Sequence, residues 1–296
     1  MQGRITYHLI AFITVVIWGS TFVFTKMLLM NGLSPANIFT LRFVIAYVLL
    51  LLYSLYKGGV KQTWCCQSWR DELIMFFLGV TGGSLYFLTE NEALRYTNTT
   101  NVSLIVCSCP LVAAFLIGAI YKSERMRPVQ IVGTLMAVCG VAAVVLNGRF
   151  VLHLSPLGDM LAMVANICWA VYSLLMIPAN KRYGAIFITR KVFFYGLVSM
   201  IPYYFFVSEW PSFEVLIRPQ VVGNLLFLGV VASCICFLVW TWVMDKLGAV
   251  IATNYVYVNP ISTIIFASAI LGERITPYFL VGTLLILFGM YFADKR

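Results

Sequence analysis

Residues 37–56, NIFTLRFVIAYVLLLLYSLY, run for a full membrane thickness with one charge, Arg42. A helix needs roughly 20 apolar residues to cross the hydrocarbon layer. Ten such segments lie near 7–27, 37–56, 73–94, 98–120, 128–147, 156–178, 186–207, 221–243, 249–271 and 276–293. The breaks between them, such as NGLSPAN, RYTNT, KSERMRP and DKLGA, leave no room for a soluble domain. Composition agrees, with 61% hydrophobic and 10% charged residues, against about 45–50% apolar and about 25% charged in soluble domains. The expectation is an all-α integral membrane protein with ten transmembrane helices.

Basic residues set the orientation, because Lys and Arg collect on the cytoplasmic side. One set of ends and loops holds fourteen of them and the other holds five, with Arg42 inside a span. Both termini are therefore expected in the cytoplasm, in a multi-pass protein of the inner (plasma) membrane. The +9 charge is spread over short loops and calls for no nucleic acid partner. The first apolar run lacks a small-x-small cleavage site and reads as an uncleaved span. Cys65 and Cys66 fall in a cytoplasmic loop and the other six cysteines inside spans, so no external disulfide is expected. Cys107/Cys109 and Cys234/Cys236 are two residues apart on helices, point to different faces, and chelate a metal poorly.

The chain repeats itself. FLGVTGGSLYFL at 77–88 matches FLGVVASCICFL at 227–238, and VGTL at 132–135 recurs at 281–284. Pro110 pairs with Pro260, Gly140 with Gly289 and Trp18 with Trp169, while IFTLR at 38–42 resembles IFITR at 186–190. Two units follow, 1–149 and 150–296, each with five spans. An odd number of spans turns the second unit upside down, and inverted repeats with a midplane site between them are a recurring transporter architecture.

Four blocks, WGSTFVFTK at 18–26, LRF at 41–43, ALRYTNTTNVSLIVCSCPLVAAF at 93–115 and LGERITPYFLVGTLLILFG at 271–289, resemble the drug/metabolite transporter superfamily, specifically its EamA-type members. The resemblance spans essentially the whole chain. It implies an inner-membrane transporter, often an exporter of amino acids or other small metabolites, with no cofactor, as a monomer or a homodimer.

Charges inside spans cost about 2.5–3.5 kcal/mol on insertion scales and so mark functional candidates. Glu90 shares a helical face with Tyr86, Gly83 and Gly79, a small-aromatic-acidic series that suits a cavity wall. Arg42 lies at a similar depth in span 2, so the two are expected to approach, as a gate, as a zwitterion site, or as an ion pair joining two helices. Uncharged stripes add Trp18 on span 1, Asn101 on span 4, Asn166, Trp169 and Tyr172 on span 6, and Tyr255 and Asn259 on span 9. With Tyr86 and Glu90 these are the candidate contacts for an amphipathic metabolite. Arg42 and Glu90 are the candidates for gating or coupling, together with Pro110 and Pro260, each of which should kink its helix. Lys26, at the outer end of span 1, reads as snorkelling to the interface.

No HExxH, GxSxG, P-loop or intramembrane Asp pair is present, and the expectation is a carrier rather than an enzyme. A channel or a lipid flippase is the alternative.

Overall fold

The computed structural model describes residues 2–58, 64–96, 102, 105–122, 125–146, 155–206, 210–271 and 276–293, which contain helices and no strand. Seven helices are long and apolar enough to cross a membrane, from Ile5–Met30 to Ala249–Ile270, and Ile105–Ile120, Pro128–Val144 and Pro277–Ala293 are apolar but shorter. Each overlaps one of the stretches picked from the sequence, and several run a few residues beyond it. In lipid every backbone polar group needs a partner within the protein, which is why apolar stretches of this length form helices.

The first half comprises α1 (Gln2–Met30), α2 (Pro35–Gly58), α3 (Trp69–Gly79), a π-helical segment (Val80–Ser84), α4 (Leu85–Tyr96), α5 (Cys109–Ile120) and α6 (Pro128–Leu146). The second begins with α7 (Pro156–Arg182), α8 (Ala185–Phe206) and the single turn α9 (Phe213–Leu216). Then come α10 (Pro219–Leu226), a second π-helical segment (Phe227–Ile235) and α11 (Cys236–Leu247). α12 (Ala249–Asn254), a 3₁₀ turn (Tyr255–Val258), α13 (Asn259–Leu271) and α14 (Pro277–Ala293) complete the chain. Gly248, at φ 87°, closes α11 in a backbone region where a side chain would be strained. The start of α1 and the end of α14 lie at one end of the bundle, here the terminal end, where His8 Nδ1 meets Tyr255 Oη at 2.7 Å. At the opposite, far end, Thr40 Oγ1 and Tyr204 Oη meet at 2.8 Å.

The π segments occupy the two copies of the FLGV repeat, a departure from α-helix that hydropathy does not signal. Each sits where a glycine lets another helix come close. A Cβ on Gly79 would lie 2.5 Å from Tyr195 Cβ, and one on Gly229 would lie 2.8 Å from Ile45 Cβ. The steps from 79 to 229 and from 45 to 195 are both 150, so the two contacts are the same contact in each half. In that register Arg42 corresponds to Val192. The likeness of IFTLR to IFITR, which would align Arg42 with Arg190, is therefore two residues out of step with the packing.

The expected proline kinks are helix interruptions instead. The chain turns at Ser108, whose Oγ donates to the Ile105 carbonyl at 2.7 Å, and α5 restarts with Pro110 in its first turn. Pro260 likewise is the second residue of α13, after the 3₁₀ turn. A residue without an N–H and with a fixed φ suits the start of a new helix better than the interior of an old one.

α6 and α14 pack backbone to backbone through the repeated VGTL motif. A Cβ on Gly140 would lie 2.7 Å from the Gly282 carbonyl oxygen, and one on Gly289 2.5 Å from the Ala137 nitrogen. Close approach of this kind is how helices gain contact in lipid, where no hydrophobic drive separates them from the chains around them. Gly140→Leu should force the pair apart at an overpacking cost of about 1–3 kcal/mol. The expected readout is a thermal midpoint in detergent several degrees below wild type, with Gly184→Leu, at a site with open space around it, as the control.

Candidate functional site

A cavity of about 440 Å³ opens among α1, α2, α4, α7 and the two helix interruptions. Its wall on α1 runs from Trp18 through Thr21 and Thr25 to Lys26 and Leu29, so it reaches from mid-helix to the far end. Ile38, Phe39 and Arg42 of α2 and Tyr86, Phe87 and Glu90 of α4 face it. Cys107 and Cys109 flank the break before α5, and Val256 and Asn259 flank the break before α13. Helix breaks at membrane depth are tolerated where they line a cavity or are buried in protein, and both conditions hold here.

Arg42 is 5% exposed and Glu90 6%, so neither charge reaches bulk solvent freely. Arg42 Nε donates to Ser233 Oγ at 2.8 Å, and its guanidinium carbon lies 5.1 Å from the centre of the Phe87 ring. Tyr86 Oη donates to Glu90 Oε1 at 2.9 Å. Among the described residues no hydrogen bond joins the two charges, although each acts on the other electrostatically. The terminal guanidinium nitrogens and Glu90 Oε2 are therefore left for whatever fills the cavity.

The floor is aromatic. Trp18 packs 5.8 Å from Trp169, 5.2 Å from Phe237 and 5.0 Å from Trp240, centre to centre. Its Nε1 donates to the Ala232 carbonyl at 2.9 Å. That carbonyl lies in the second π segment, where the regular helix ladder is disturbed and backbone groups become available to side chains. Ser233, the partner of Arg42, is the next residue.

Of the residues singled out from sequence, Trp18, Arg42, Tyr86, Glu90, Trp169 and Asn259 come together around this cavity. Others serve elsewhere. Tyr172 is wholly buried beneath Trp169, in the space that a Cβ on Gly82 would enter at 2.3 Å. Asn166 is also wholly buried and donates to the Ile105 carbonyl at 2.5 Å and Ser108 Oγ at 2.9 Å, bracing the break before α5. Tyr255 bonds His8 at the terminal end. Pro110 and Pro260 each neighbour a lining residue, Cys109 and Asn259. Asn101 lies outside the described residues. The sequence reading missed Phe39, Phe87, Thr263 and Ser233. Only Phe87, next to Tyr86 in the repeated block, carried a signal that would have found it.

Below the floor the terminal half is shut. Asn180 Nδ2 donates to the Thr241 carbonyl at 3.3 Å, and Thr189 and Thr241 hydroxyls meet at 3.1 Å. At the base of α3, Asp71 binds Arg182 and Tyr183, and Glu72 binds Lys191 and Tyr195. Glu72 Oε2 also accepts from the Cys66 backbone N–H at 2.9 Å. Burial, with Glu72 alongside, pushes the Cys66 thiol up to about 12. At pH 8 its thiolate fraction is on the order of 10⁻⁴, whereas Cys65 is exposed. Mass spectrometry after brief maleimide treatment at pH 8 should find Cys65 modified and Cys66 intact. Glu72→Gln, which removes the nearby carboxylate, should bring the Cys66 rate up.

Interrupted helices meeting around one cavity, open toward one end and sealed toward the other, define a multi-pass membrane protein with a two-repeat helical transporter fold. The chain belongs to the EamA-like transporter family, whose model matches residues 5–146 and again 156–293. It is 28% identical over 291 residues to an uncharacterized transporter of Archaeoglobus fulgidus, covering 98% of this chain and 97% of the relative. It is 26% identical over 285 residues to a protein of Streptantibioticus cattleyicolor named "Probable terminal-alkyne amino-acid exporter", covering 96% and 92%. A crystal structure at 18% identity superposes with a TM-score of 0.78 over 97% of this chain and 98% of its own.

Proposed function

We propose that this transporter moves a small amphipathic zwitterion of the amino-acid class out of the cell across the inner membrane by alternating access. One observation carries the reading: a cation and a carboxylate, Arg42 and Glu90, face one cavity without bonding each other. A bound amino acid would set its carboxylate on the Arg42 nitrogens and its ammonium on Glu90 Oε2. Its apolar side chain would lie against Trp18, Trp169 and Phe87. A largely apolar cavity with a few convergent polar groups is the usual form of a small-molecule site.

The units 1–149 and 150–296 act as the two moving bodies, each with its own interrupted helix and π segment. With fourteen basic residues on the terminal side against five, that side is cytoplasmic, and the cavity opens to the outside. Outward movement is supported by the name of the Streptantibioticus relative.

The test is counterflow of labelled amino acids in vesicles containing the purified protein. Charged hydrogen bonds in a site like this contribute about 1.5–3 kcal/mol, so Arg42→Ala and Glu90→Gln should each reduce counterflow roughly 10- to 100-fold. Wild-type rates in both variants would sink the zwitterion reading. Flux that rises linearly with concentration and shows no counterflow would instead identify a channel. Glu90→Gln also decides coupling, since a proton carried by Glu90 predicts loss of the pH dependence of transport.

A further inference from the structure

Lys26 is the third charged residue of the cavity wall. It sits on α1 and is exposed at the mouth, and among the described residues its ammonium has no hydrogen bond or ion pair. Glu90, on α4, is held on one oxygen alone.

The sealed half shows what this wall becomes when shut. The step of 150 residues carries the seam between α1 and α4 onto the seam between α7 and α11, Glu90 onto Trp240 and Asn91 onto Thr241. There the seam is closed by the Asn180–Thr241 bond at 3.3 Å, and Trp240 is 0% exposed. A step of 150 or 151 brings Lys26 to Met176, also 0% exposed, or to Ile177, which packs on the same core. Lys26 thus occupies, on an open wall, a place that is wholly or partly buried in the closed one.

Resting on the alternating-access reading above, we infer that Lys26 is the outer bolt of the empty carrier: as α1 closes on α4, its ammonium takes the free oxygen of Glu90. Glu90, already only 6% exposed, loses its remaining access to the cavity as the wall closes. A carboxylate so enclosed needs a cation on its free oxygen, because burying one partner of an ion pair alone is strongly unfavourable. Arg42 lies beside it with Nε on Ser233, and among the described residues no hydrogen bond joins it to Glu90. Lys26 is the cation carried by the moving wall. In the loaded carrier the substrate ammonium holds Glu90 and does the same neutralising work. Lys26 is therefore needed for the return of the empty carrier and dispensable when both crossings are loaded.

That distinction gives the test. Vesicles loaded with labelled leucine or phenylalanine are assayed for net efflux, which requires empty return, and for exchange against the same amino acid outside. Lys26→Met should lower the ratio of net efflux to exchange at least tenfold, and Lys26→Arg should restore it. A ratio equal to wild type, or both rates falling together, overturns the bolt. Loss of all zwitterion transport in the wild type would count against the substrate reading instead. A second measurement then judges closure by itself: Lys26→Cys with Glu90→Cys in a chain otherwise free of cysteine, oxidised in the membrane, with a protease site between α2 and α3. The two fragments should stay linked until reduced. Fragments that separate under oxidising conditions mean the wall never reaches Glu90, and the proposal falls.

Discussion

The bond from the Trp18 indole to the Ala232 carbonyl joins the two halves at the bottom of the cavity, and much of the site depends on it. In lipid a carbonyl released from the helix ladder has no water to turn to. In the second π segment another helix supplies a donor, α1 with Trp18. The same contact brings the Trp18 ring against Trp240 and Phe237, which seals the terminal half. It leaves Ser233, one residue on, free to hold Arg42. The break before α5 follows the same logic, with Asn166 taking the Ile105 carbonyl. In these two places irregular backbone is stitched by a neighbouring helix.

Symmetry builds the scaffold and asymmetry builds the site. Gly79 on Tyr195 repeats as Gly229 on Ile45, and Phe43 meets Phe193 at 4.6 Å across the centre, residues 150 apart. The charges do not repeat. Arg42 answers to Val192 and Glu90 to Trp240, both buried and apolar in character. Two equal halves are suited to exchanging open and closed shapes. The two linings are unequal, with the charged groups on one side of the floor and Trp240, Val192 and uncharged Asn and Thr side chains on the other.

The spans, the repeat and the acid-base pair were legible in the sequence, because each is a property of the residues themselves. Apolar length, collinear matches and a charge within lipid need no knowledge of neighbours. The roles of Tyr172, Asn166 and Tyr255 were not legible, because an aromatic or an amide on a helix serves the cavity or the packing according to the rotation of that helix. Pro110 and Pro260 signalled disturbance at the right places but not its form, since a proline fits a kink and a helix start equally well. The π segments left no trace in hydropathy. They lie beside two glycine contacts between helices far apart in the chain.

Electrostatics ties these features to the transport cycle. Two cations and one carboxylate border a space of about 440 Å³, and each would cost about 2.5–3.5 kcal/mol in the middle of a bilayer. Lys26 is exposed at the mouth, whereas Arg42 and Glu90 are already largely buried in the cavity wall. In the proposed cycle Glu90 is answered by Lys26 when the wall closes empty, and Arg42 and Glu90 are answered by the two charged ends of the ligand when it closes loaded. In that cycle a neutral amphiphile would lack the carboxylate that the zwitterion offers to the Arg42 guanidinium and the ammonium that it offers to Glu90, and so would bind less well. The charges line the half that holds the cavity, and Trp240 and Val192 stand in the corresponding places of the sealed half.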